Sequence, residues 1–215
     1  MSDSEEWAVW AAEEFDEEGW LYLPRAMTAL QREEWIAEAR KYLNPLVGVK
    51  RWDGTPTTPL MLEELLESAI GRAGEVEALA TFHVWPIPGP AALLCHICVV
   101  PSETAQRVLS DPPAGVAHRI DAEHIGAGVQ FGTRASVETD EGVVDFYSVD
   151  LIFDDGVAAV VITLEQSLGA LISNSYPGLA TLKDVLQVQR PDGSAFASVE
   201  PNVVVQDEIW KLTGS

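Results

Sequence analysis

The sequence predicts an α+β protein: N-terminal helices, then a mainly antiparallel, twisted sheet with helices packed on one face. Three observations predict it. Helical apolar spacing dominates up to about residue 74. Beyond it, apolar runs with strand character are joined by short turn segments, which favours antiparallel pairing. Finally, residues 144–166 alternate cleanly around Asp155-Gly156, a preferred hairpin pair. Residues 1–74 read as a helical segment packing on the sheet. Residues 75–215 read as the antiparallel domain, and together they form one unit.

Each element has its own warrant. Residues 1–20 hold eight acids and no base, with Trp7, Trp10, Ala11 and Phe15 near helical spacing, which predicts an amphipathic helix ending near Gly19. "WLYLP" then reads as a short extended piece. Thr28 and Gln31 form a capping box opening a second helix, whose stripe is Trp35, Ile36, Ala39, Tyr42 and Leu43. Thr58 as N-cap and Pro59 at the first helical position open a third, lined by Leu62, Leu65, Leu66, Ala69 and Ile70. "LATFHVWPI" and "AALLCHICVV" flank "PGP" as a hairpin. Ser102 caps a short helix over 103–110, and a strand follows over about 126–138.

The 144–166 hairpin can be read residue by residue. A two-residue type I′ turn pairs Asp154 with Val157. One face then carries Tyr147, Val149, Leu151 and Phe153 with Ala158, Val160, Ile162 and Leu164. That face is wholly apolar and should lie against helices. The other face mixes Phe146, Ser148, Asp150 and Ile152 with Ala159, Val161, Thr163 and Glu165. A helical piece near 168–174, a helix from Pro177, a turn at "RPDGS" and a last strand in "NVVVQDEIW" complete the chain. At the level of architecture this order is similar to sandwiches of the PsbP/Mog1 type or cones of the NTF2 type, with no motif singling out either.

Charge and composition exclude several functions. There are 34 acidic against 13 basic residues, a formal net charge of −21. Such a surface repels phosphate backbones and anionic lipid, so neither nucleic acid nor membrane is an expected partner. A basic protein partner is compatible. The acidic start does not resemble a secretory signal, and two cysteines make no disulfide framework, so a cytoplasmic location is expected.

The motifs that resemble chemistry are incomplete. Cys95 and Cys98 flank His96 in "LLCHICVV". Beta-branched and aliphatic flanks predict a strand, where positions three apart point to opposite faces, so the sulfurs cannot share one metal. His118 and His124 of "HRIDAEH" lie about 20 Å apart on a strand, and H-E-x-x-H is absent; the stretch reads as a polar connection. "GAGVQFG" lacks both the third glycine and the following helix of a dinucleotide site, so its glycines mark bending or a bulge. No catalytic residue, metal ligand or cofactor is therefore assigned, and the chain leans away from an enzyme. Two candidates stand. His96 and His83 could face a small-molecule pocket on the mixed hairpin face. Lys50, Arg51 and Trp52, a basic pair beside an exposed aromatic on a loop, could contact a partner. A non-catalytic binding or accessory module (a scaffold, chaperone or immunity-like protein) is the expected function, with the small-molecule pocket as the alternative.

Overall fold

The computed structural model describes residues 6–11, 15, 17–50, 54–86, 91–110, 117–140 and 142–201. Its strands are β1 (Ala8–Ala11), β2 (Trp20–Leu23), β3 (Ala80–Val84), β4 (Leu93–Pro101), β5 (Ala117–Ala122), β6 (Gly126–Thr139), β7 (Gly142–Asp154), β8 (Ala158–Leu168) and β9 (Leu186–Gln189). Its helices are α1 (Ala29–Leu43), α2 (Pro59–Ala73), α3 (Ser102–Ser110) and α4 (Gly169–Val185), with a single 3₁₀ turn at Asn44–Leu46. Seven strands form one antiparallel sheet in the order β2-β3-β4-β8-β7-β6-β5, and β1 pairs with β9 separately. The class is α+β. Among the described residues no helix is long and apolar enough to cross a membrane.

The strand reading of "LLCHICVV" is correct, and its composition explains its place. Leu93 through Ile97 are all buried, and β4 lies inside the sheet between β3 and β8. Cys95 packs in the main core, whereas Cys98 faces the opposite side; both are free thiols. Burial raises the pKa of each, which keeps the thiols protonated and unreactive.

The apolar face of the hairpin does meet a helix. Val149, Leu151, Phe153, Val160, Ile162 and Leu164 pack with Leu171, Ile172, Leu179 and Leu182 of α4. Helices also cover the other face. There α1 and α2 bury Ile36, Leu43, Leu62 and Leu66 around Trp85, and α3 buries Ala105 and Leu109 against Val129, Phe131 and Ile152. The capping box at Thr28 and the Thr58 cap with Pro59 form as expected.

Several local expectations are corrected. The first is the N-terminal helix: residues 8–11 form β1 instead. Trp7 and Val9 alternate inward while Trp10 is 44% exposed, so the period is two, set by pairing with β9. Tyr42 leaves the α1 stripe and is exposed. Ser102 lies inside α3 and donates its hydroxyl to Asp154 at 2.9 Å. "HRIDAEH" is no mere connection, since β5 is the sheet's edge strand. Pro177 does not split α4: burial of the helix's apolar side outweighs one lost backbone bond. "NVVVQDEIW" lies outside the described residues.

The hairpin register moves by two residues. Asp154 pairs with Ala159 and Phe153 with Val160. Asp155 does not take positive φ; only Gly156 does, at 89°. The Asp155 carboxylate instead accepts from the N–H groups of Val157 and Ala158, at 2.7 and 2.8 Å, widening the turn. A shift of two preserves parity, so the two predicted faces stand. The glycines of "GAGVQFG" serve close approach: a Cβ on Gly128 would lie 2.6 Å from the Phe153 ring.

Candidate functional site

The strand pairings place one row of residues across the sheet, on the face under α1, α2 and α3. It runs Leu23, Thr81, His96, Thr163, Asp150, Phe131, Ala117. Its ends are apolar and its four central members are polar. Each of these finds a partner. Thr81 Oγ1 lies 3.1 Å from His96 Nδ1, and His96 Nε2 lies 3.3 Å from Glu165 Oε1. Arg72 of α2 donates to Glu165 Oε2 at 2.7 Å, as does the Leu94 N–H at 3.3 Å. Thr163 Oγ1 donates to Asp150 Oδ1 at 2.6 Å.

A bulge creates the Glu165 position. Tyr147 pairs with Ser167 but Val149 with Leu164, so Glu165 and Gln166 together oppose Ser148. Burial alone would raise the Glu165 pKa, but bonding from His96, the Arg72 charge and the Leu94 N–H outweigh it and hold the carboxyl below its ordinary value. Among the described residues no cation acts on Asp150. Burial pushes its pKa up, and the Thr163 hydroxyl offsets only part of that. An ionised Glu165 accepts from His96 Nε2–H. Nδ1 faces the Thr81 hydroxyl, which can donate to it or accept from it.

His83 and His96 are not brought into one pocket. His83 is fully buried, and its ring sits 3.8 Å from that of Trp85 and 6.3 Å from that of Trp35. Neither of its nitrogens meets a hydrogen-bond partner among the described residues. Burial, helped by the Arg72 charge, lowers its pKa from 6.5 to about 3, so it is neutral. In three cavities bounded by described residues, of about 310, 220 and 380 Å³, neither histidine contributes to the wall.

Lys50 is exposed and bridges to Pro56 at the neck of its loop. Arg51 and Trp52 lie outside the described residues. No group of three or more His, Cys, Asp and Glu suited to a metal occurs among the described residues, "HRIDAEH" included.

One feature went unread in the sequence. Beyond Phe131, β6 has lost β5; before Phe146, β7 has not yet met β8. Residues 136–139 and 142–145 therefore pair only with each other among the described residues, as a two-stranded arm extending past the sheet, and 132–135 are the edge beside it. Paired residues share a face. Ala135, Val137, Val144 and Phe146 make one apolar face, and Arg134, Ser136, Glu138, Val143, Asp145 and Tyr147 lie on the other. Asp145 accepts from Arg134 at 2.5 Å and from Ser136 at 2.6 Å. Val137 is 48% exposed on the first face, and Val143 is 65% exposed on the second. β6 and β7 are 14 and 13 residues long against 6 for β5 and 11 for β8, so part of their length pairs with neither among the described residues. No protein-family model matches the chain, and no curated protein is significantly similar to it.

Proposed function

We propose that the chain is a non-catalytic binding module for a protein partner, and that the β6–β7 arm is its contact element. The arm carries this reading. Among the described residues its strand edges are unpaired and Val137 on its apolar face is exposed, which is the geometry through which sheets take up an added strand. Glu138 and Asp140 stand near its tip, in a chain of net charge −21. The matching partner is an extended basic segment whose alternate residues are apolar. The polar row supports the same reading from the other side, because its groups are committed to one another: Thr81 to His96, His96 and Arg72 to Glu165, Thr163 to Asp150. Two free cysteines suit a reducing compartment such as the cytoplasm.

Copurification from the native host with a tagged full-length chain tests this. A stoichiometric basic partner should be retained by the wild-type chain and by Lys50→Glu, and lost by the double variant Val137→Asp, Val144→Asp. A partner that survives the arm variant but is lost by Lys50→Glu would move the contact to the loop of Lys50, Arg51 and Trp52. Recovery of no stoichiometric partner would count against a binding module altogether.

A further inference from the structure

A cavity of about 310 Å³ lies between the β2–α1 connection, the C-terminal turns of α2 and the start of β3. Exposure orders its lining by depth. Leu23, Ala78, Ala80 and Thr81 are 1–8% exposed and form the deep end. Arg25 and Arg32 are 61% and 45% exposed and stand at the mouth. Ile70 and Val76 continue the apolar wall between them. We infer that this cavity binds a small organic monocarboxylate, its carboxylate at Arg25 and Arg32 and its apolar body against Leu23, Ile70, Val76 and Ala78.

The charge distribution selects the head group. Only nine arginines stand in a chain with 34 acidic residues, and two of them flank this one opening. Arg25 is paired with Glu77 at 3.7 Å, but Glu77 is 93% exposed. An exposed pair at that distance contributes little and yields to a better-placed carboxylate. Arg32 is tied to Glu67 of α2. A guanidinium has five donors, so one carboxylate does not exhaust it.

The deep end selects the tail. Its side chains are hydrocarbon apart from the Thr81 hydroxyl, which lies 3.1 Å from His96 Nδ1. Among the described residues no charged side chain lines that end, so a dicarboxylate meets no cation for its far charge. The volume is at the lower limit of ligand pockets, which fits a body of about six to eight carbons.

Calorimetric titration of the full chain with octanoate, octan-1-ol and inorganic phosphate, paired with amide chemical-shift mapping, tests the assignment. Octanoate should saturate, with shifts centred on Met27, Ala73, Val76 and Thr81. Octan-1-ol and phosphate should each bind about tenfold more weakly or worse, since each lacks one half of the match. Arg25→Gln removes only an exposed side chain and should weaken octanoate by about tenfold with an unchanged Tm. Ala73→Phe, filling the cavity from the last turn of α2, should abolish saturation. Equal affinity for octanoate and octan-1-ol, equal affinity for octanoate and phosphate, shifts scattered over the surface, or no saturation by about 10 mM would each overturn the inference.

Discussion

Strands β6 and β7 change character along their length. Between Gly126 and Phe131, β6 lies between β5 and β7, and both sheet faces are covered, by α4 on one side and by α3 on the other. From residue 132 onward the same strand has β7 as its one strand neighbour among the described residues. Cross-strand pairing is the same in both regions; burial is not. In the body, pairing positions side chains that are then sealed, so their contribution is stability. In the arm, the same pairing holds an apolar face in water, which adds nothing to the fold and leaves a surface available for another chain. An isolated two-stranded ribbon is marginal in water, so the arm is held by its root in the sheet.

Substitutions should break this contrast in a fixed order of effect on stability. The largest is in the sealed region. Phe153→Ala removes a fully buried ring facing α4 and should cost about 3–5 kcal/mol, read as a lower urea midpoint at unchanged slope. Next comes His83. Its pKa is about 3 in the fold against 6.5 ordinarily, so below pH 6.5 the unfolded chain binds a proton that the native chain refuses. Stability should fall with pH over that window by up to about 1.4 kcal/mol per unit. His83→Phe, with a ring still between Trp35 and Trp85, should flatten the slope, and an unchanged slope would show that His83 is not sealed.

Smaller effects come from the two carboxyls of the polar row, and they differ in sign. Glu165→Ala strips His96 Nε2 and the Leu94 N–H of their acceptor and should cost about 1–3 kcal/mol at neutral pH. The Glu165 pKa is held below 4.5, so its contribution is present above that pH and disappears as pH falls through the lower folded value. The Asp150 pKa is raised above 3.8, so its ionisation weakens the fold as pH rises through that raised value. Asp150→Asn should therefore stabilise at neutral pH, by less than about 1 kcal/mol. Equal signs for the two variants in denaturant unfolding would show that the row is not tuned as described. Smallest of all is the arm. Val137→Asp with Val144→Asp should change stability by no more than about 0.5 kcal/mol while abolishing partner retention.

The sequence carried the body of the fold further than its edges. Parity alone separated Cys95 from Cys98, and alternation alone gave both faces of the 144–166 hairpin, because a two-residue slip leaves parity intact. It did not carry the turn, where the Asp155 side chain replaces a backbone φ that the dipeptide rule assumes. Nor did it carry β1: four residues take their period from a partner about 180 positions away, which local spacing cannot reveal. His96 is legible in the sequence as a polar group in an apolar strand. Its partners, Thr81 and Glu165, are set by strand order and by a bulge, and Arg72 reaches Glu165 from the last turn of a helix read only for its apolar stripe.

Hydrogen exchange on the full chain, free and with its copurified partner, tests most directly whether the arm makes the contact. Slowed exchange at residues 136–139 or 142–145, with α1, α2 and the Lys50 loop unchanged, is the predicted result. Protection on α1, α2 or that loop, with the arm exchanging as in the free protein, would contradict it.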